Sequence, residues 1–181
     1  MTTDEAFNIV LEAVEKRLAE TVKRWGYKIE RKEFSDWVYW QIVERAPYKF
    51  VSATESKPYI LLWRPPNQVR QIYPSCASPE ELEHVVKLFV SRALEKVALI
   101  LAHRELRSVH GVDDTWLGES VLKVYVGSET FVLRFGLGKK SWNWKVASDE
   151  GATLTVIRRP LNENPIKPLL EAAKYFGLLV I

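Results

Sequence analysis

The apolar positions near the start of the chain recur with helical period: Phe7, Val10, Leu11, Val14, Leu18, Val22 and Trp25 form one stripe. Thr2 and Glu5 have capping-box spacing, Lys23 and Arg24 suit the negative end of a helix dipole, and Gly26 is a natural C′ residue. The pattern predicts an N-terminal helix that closes at Gly26. From residue 27 the period falls to two. Residues 27–34 and 37–44 read as strands joined by Ser35-Asp36, and 59–64 and 69–73 as strands joined by Pro65-Pro66-Asn67, with Ala46-Pro47 breaking the chain between the pairs. Ser78-Pro79-Glu80-Glu81 then announces a second helix, with Ser at the N-cap, Pro at N1 and Glu at N3. If it runs on to Gly111 it approaches ~48 Å at about 1.5 Å per residue. Around residues 97–102 it is apolar on every side, which predicts a buried middle. Alternation returns over 121–126, 131–135, 141–147 and 152–158, with turns at Gly127-Ser128, Gly136-Leu137-Gly138-Lys139 and Asp149-Glu150-Gly151. A short helix over 165–176 and an apolar segment, 178–181, follow.

This order predicts an α+β protein with an N-terminal helix, a long central helix and two antiparallel sheet units, each of ββββα order. The units are expected to form a single body over 1–181, with halves 1–110 and 111–181. Over residues 27–176 the duplicated order resembles that of the Whirly and PUR-repeat families. That resemblance implies binding of single-stranded nucleic acid on a sheet surface.

Composition narrows the class. With 47% hydrophobic and 27% charged residues among 181, the chain has the profile of a folded protein rather than a disordered one. A lone cysteine, Cys76, excludes an internal disulfide and any multi-thiolate site, and no targeting segment is expected at the start, so a cytoplasmic location is the expectation. No apolar run approaches the ~20 residues needed to span a bilayer as a helix.

Catalytic patterns are weak. His103 and His110 are seven residues apart, not the three or four that place two ligands on one metal. Gly136-Leu137-Gly138-Lys139-Lys140-Ser141 carries Leu133 where a P-loop needs glycine and Lys140 where it needs Ser or Thr, and it reads as a hairpin turn with glycines free to take positive φ. Asp113-Asp114 read as caps or loop carboxylates, and no nucleophile–base pair can be assembled. The expectation is a protein that is not an enzyme and has no metal or cofactor.

Charge placement says more. The net charge is +3, from 26 basic and 23 acidic residues, yet residues 56–78 and 130–148 contain no acid at all. The first stretch holds Lys57, Arg64 and Arg70 among Tyr59, Trp63 and Tyr73; the second holds Arg134, Lys139, Lys140 and Lys145 among Phe131, Phe135, Trp142 and Trp144. Cations and aromatic faces together are what a single nucleic-acid strand requires. Strand parity assigns Trp142 and Trp144, with Leu154 and Val156, to the core face of the second sheet, leaving Lys123, Tyr125, Arg134, Asn143 and Lys145 opposite. In the first half, Val38, Trp40 and Ile42 take one face and Trp37 and Tyr39 the other.

The candidate nucleic-acid-binding residues are therefore Lys123, Arg134, Lys139, Lys140 and Lys145, joined by Arg64 and Arg70, with Tyr125, Trp37 and Tyr39 as stacking groups. The expected partner is single-stranded DNA or RNA. The alternative is a protein-interaction or assembly module. A homodimer is expected on either reading, through the apolar segment 178–181 or the second helix near Leu99, His103 and Leu106.

Overall fold

The computed structural model describes the backbone of residues 3–34, 37–42, 49–54, 60–64, 68–72 and 78–180, and the side chains of 5, 8–32, 38, 40–42 and 78–180. Thr2, the Ser35-Asp36, Ala46-Pro47 and Pro65-Pro66-Asn67 breaks, Lys57, Tyr59, Tyr73 and Cys76 lie outside the described residues. The protein is α+β, with three α-helices and antiparallel sheets among the described residues. It divides into two compact units, Met1–Leu94 and Glu95–Ile181, and the division falls inside the second helix.

In the first unit, α1 (Thr3–Arg24) buries the expected stripe from Val10 to Trp25, with Val14, Leu18, Val22 and Trp25 almost fully covered, while the Phe7 side chain lies outside the described residues. Its end is a Schellman motif. Gly26 has φ +93°, its N–H donates to the Lys23 carbonyl at 2.9 Å, and the Tyr27 N–H donates to Val22 at 3.0 Å. Strands β1 (Ile29–Phe34), β2 (Trp37–Ile42) and β3 (Lys49–Thr54) form one antiparallel sheet, and β4 (Ile60–Arg64) and β5 (Gln68–Ile72) a two-stranded ribbon. Val38, Trp40 and Ile42 face the core, as alternation requires. Trp40 Nε1 donates to Glu15 Oε1 at 3.1 Å, and its ring meets Phe89 edge-on at 6.1 Å.

The second helix, α2 (Pro79–Leu106), opens on the expected capping box. Ser78 Oγ accepts the Glu81 N–H at 3.2 Å, and Glu81 Oε2 accepts the Ser78 N–H at 3.3 Å. Residues 97–102 are buried on every side, as their composition predicts.

In the second unit, β6 (Asp114–Leu117), β7 (Leu122–Val126), β8 (Glu129–Leu137), β9 (Ser141–Ser148) and β10 (Thr153–Pro160) make one antiparallel sheet in the order β10-β9-β8-β7-β6. Its inner face carries Leu122, Val124, Phe131, Leu133, Phe135, Trp142, Trp144, Val146 and Ile157, all buried. Helix α3 (Ile166–Ala173) and a 3-10 turn, Phe176–Val180, cover that face, with Phe176 against Phe131 at 5.2 Å. Both core tryptophans also satisfy their indole N–H: Trp142 donates to the Glu163 carbonyl at 2.7 Å and Trp144 to the Pro165 carbonyl at 2.8 Å. The adjoining Asn164 Oδ1 accepts the N–H groups of Ile166 and Lys167, which starts α3.

Several expectations are corrected. Among the described residues each half has five strands instead of four: β3 is an additional strand in the first, and β6, only four residues with one buried position, Thr115, is an additional strand in the second. A bulge between Thr153 and Thr155 inserts one residue into β10, so Ile157 faces the core opposite Trp144 and Val156 turns outward opposite Lys145. Gly136 lies within β8, and neither it nor Gly138 takes a positive φ. Leu99 and Leu106 are buried, so the second helix offers no apolar surface there for a second copy. The segment Phe176–Val180 is a 3-10 turn.

Candidate functional site

The pleat of the second sheet turns alternate residues away from the helices, and the registers set these in rows across the strands. One row is Trp116, Lys123, Val132, Ala147 and Thr153; the next is Arg134, Lys145 and Val156; the third is Gly136, Asn143 and Arg158. Rows lie ~7 Å apart along a strand, and the five strands span ~19 Å. Through these three rows the face contains no carboxylate. Asp114, opposite Tyr125 at one corner, has its Oδ1 3.7 Å from Arg107 Nε and accepting the Thr115 N–H at 2.8 Å.

Arg134 and Lys145 are direct cross-strand partners, and both are exposed. Like charges placed opposite on neighbouring strands repel, and the repulsion opposes folding. Among the described residues neither one, nor Lys123 or Arg158, has an ion-pair partner. Beside them Gly136 leaves a notch: a Cβ there would come 3.1 Å from Asn143 Nδ2, so the amide lies across β8. The exposed Lys139 and Lys140 occupy the turn beyond the third row.

At the opposite edge Trp116 is 52% exposed and Lys123 Nζ stands 5.6 Å from its ring centre. The short strand β6 is anchored from its inner side. Thr115 Oγ1 lies 2.8 Å from His103 Nδ1, donates to the His103 carbonyl at 3.1 Å, and accepts from Arg107 Nε at 3.1 Å. Burial holds the His103 ring below its ordinary pKa, Arg107 and Lys96 add to that, and Asp114 opposes it. Lys96 Nζ donates to the Gly118 carbonyl at 3.2 Å, and its pKa is lowered by burial against the opposing pull of Glu119.

Of the ten residues singled out from the sequence, this face brings together Lys123, Tyr125, Arg134 and Lys145, with Lys139 and Lys140 at its end. Trp37, Tyr39, Arg64 and Arg70 belong to the first unit, and their side chains lie outside the described residues. Sequence reasoning missed Arg158, Val156 and Trp116. The bulge moved the first two into place, and Trp116 stands on the unrecognised β6. An Arg158-Arg159 pair, which puts a cation outward in either register, was the available signal. The described residues hold no group of three or more His, Cys, Asp or Glu placed to bind a metal ion, and no described helix is long and apolar enough to cross a membrane. No protein-family model, curated protein or solved structure matches this chain.

Proposed function

We propose that the protein binds single-stranded nucleic acid, DNA or RNA, on the outer face of the five-stranded sheet. The observation that carries this reading is the Arg134–Lys145 pair, two cations without an ion-pair partner among the described residues, set opposite each other with Lys123 and Arg158 close by. Like charges set opposite each other oppose folding, and a polyanion suits them as a partner. Charge excludes a second copy of the same face, since four cations would meet four. Shape favours a single strand over a duplex: a sheet ~19 Å wide cannot enter a major groove about 12 Å across to reach base edges, whereas unpaired bases can lie on its surface. In this reading Lys123, Arg134, Lys145 and Arg158 contact phosphates, and Lys139 and Lys140 extend the track. Anisotropy titrations with labelled single-stranded DNA, RNA and duplex, each over a salt series, test it. Tight binding of the single strands that weakens steeply with salt is expected; no binding at low salt overturns it.

A second reading has its own observation. Tyr175, Leu178 and Val180 form an exposed apolar group beside α3, with Tyr175 and Leu178 both more than 60% exposed. On this reading the segment joins two copies, as in an assembly module or homodimer. Sedimentation equilibrium decides between 20.9 kDa and twice that mass.

A further inference from the structure

We infer that Trp116 is the base-stacking platform of this face, a role that rests on the nucleic-acid reading above. Three features single it out. First, the indole is surplus to the core. Thr115 provides the buried contact of β6, while Trp116 points to the opposite side and remains half exposed.

Second, the ring has a seat. A Cβ on Gly118 would lie 2.8 Å from Trp116 Cζ3 and 3.1 Å from Cη2, so the six-membered ring lies along the strand over a glycine that leaves room for it. Gly118 has no positive φ, so space and not backbone conformation is what asks for glycine there. The Lys96–Gly118 hydrogen bond holds the turn in place from the helix side. An exposed aromatic ring laid against backbone and fixed in orientation offers a π-surface with little left to order on binding.

Third, a cation stands over the ring. Lys123 Nζ is 5.6 Å from the ring centre, within reach of the phosphate next to a stacked base, and the ring leans toward the row of Arg134 and Lys145. A strand stacked on Trp116 therefore continues over Lys123 toward Arg134, Lys145 and Arg158, crossing the sheet perpendicular to its strands.

The test uses the full chain, a short labelled oligothymidine, and the variants Trp116→Ala, Trp116→Phe and Gly118→Ala. Trp116→Ala is expected to weaken binding about 5- to 150-fold, the range for losing one stacked base. Its salt slope should stay that of the wild type, because no phosphate contact is removed. Trp116→Phe should recover most of the loss. Gly118→Ala, which keeps the indole but displaces it, should weaken binding in the same direction. Wild-type affinity in Trp116→Ala overturns the stacking role while the sheet-face reading stands. So does a salt slope flattened by about one unit, which would mean the ring acts through Lys123. A Trp116→Ala chain that sediments at a different mass from the wild type overturns it in favour of a contact between copies. If the wild type binds no oligonucleotide at low salt, both readings fall together.

Discussion

Replacing Arg134 with glutamate separates what the sheet face costs from what it does. Arg134 and Lys145 are opposed across β8 and β9, where facing Cβ atoms lie about 4.5–5.5 Å apart. Arg134→Glu turns a repulsive pair into an attractive one, a swing of roughly 0.5–1 kcal/mol once solvent exposure of both ends is allowed for. In a chain of this size that raises the unfolding midpoint by about 1–4 °C. Binding should move the other way. Four phosphate contacts to a single strand give a slope of log K against log salt near about −2.8, and three give about −2.1. From about 50 to 200 mM salt the wild type should then lose about 50-fold in affinity and the variant about 20-fold, from a weaker start. Thermal melts followed by circular dichroism and anisotropy titrations read the two quantities on one preparation. A variant that melts lower than the wild type refutes the repulsion argument. One that binds with wild-type affinity and slope refutes the phosphate role of Arg134.

The other predictions concern the frame that holds this face. Trp144→Phe keeps an aromatic ring in the core but leaves the buried Pro165 carbonyl unpaired, so it should cost about 1–3 kcal/mol in urea denaturation; a neutral result would mean that the 2.8 Å bond contributes nothing. Gly26→Ala meets no atom within 4 Å yet must hold φ near +93°, and should cost about 1–2 kcal/mol from the backbone alone, again read by denaturation. His103 has a folded-state pKa below its ordinary 6.5, so the unfolded chain takes up the proton first as pH falls through 6.5. Stability present above that pH should decline on acidification, and His103→Asn should flatten the decline; identical profiles would exclude His103 as its source.

The elements best read from sequence were those with a local physical signature. The Schellman end at Gly26 and the Ser78–Glu81 box need only residues a few positions apart, and both appear as spacing predicts. The alternation in β7, β8 and β9 is clear because one face is buried, interrupted only where Ala147 is covered beside Val146, and it puts Trp142 and Trp144 in the core, where they lie. What failed was non-local. The residues of β6 show no apolar alternation, since the one buried side chain is a threonine held by His103 and Arg107 from other elements. The β10 bulge shifts parity by one residue, and nothing within 153–160 announces it, because Val156 and Ile157 are equally good core residues until the pairing with β9 decides between them. The candidate site inherits both errors. Its centre, Lys123, Arg134 and Lys145, follows from alternation, while its two margins, Trp116 and Arg158, depend on β6 and the bulge.

The bulge and the sequence around it also bear on how far the sheet can grow. An antiparallel sheet presents unpaired N–H and C=O groups along both outer strands, and these recruit further strands unless something stops them. Here β10 breaks its ladder at Thr153/Thr155 and then carries Arg158, Arg159 and Pro160, whose ring has no N–H to offer. The other border, β6, is four residues long and leads into the Gly118 turn that lies under the Trp116 ring. One border is thus twisted, charged and capped by proline, and the other is too short to template a neighbour. A broad basic face can stay open to solvent without the same sheet adding strands edge to edge and polymerising.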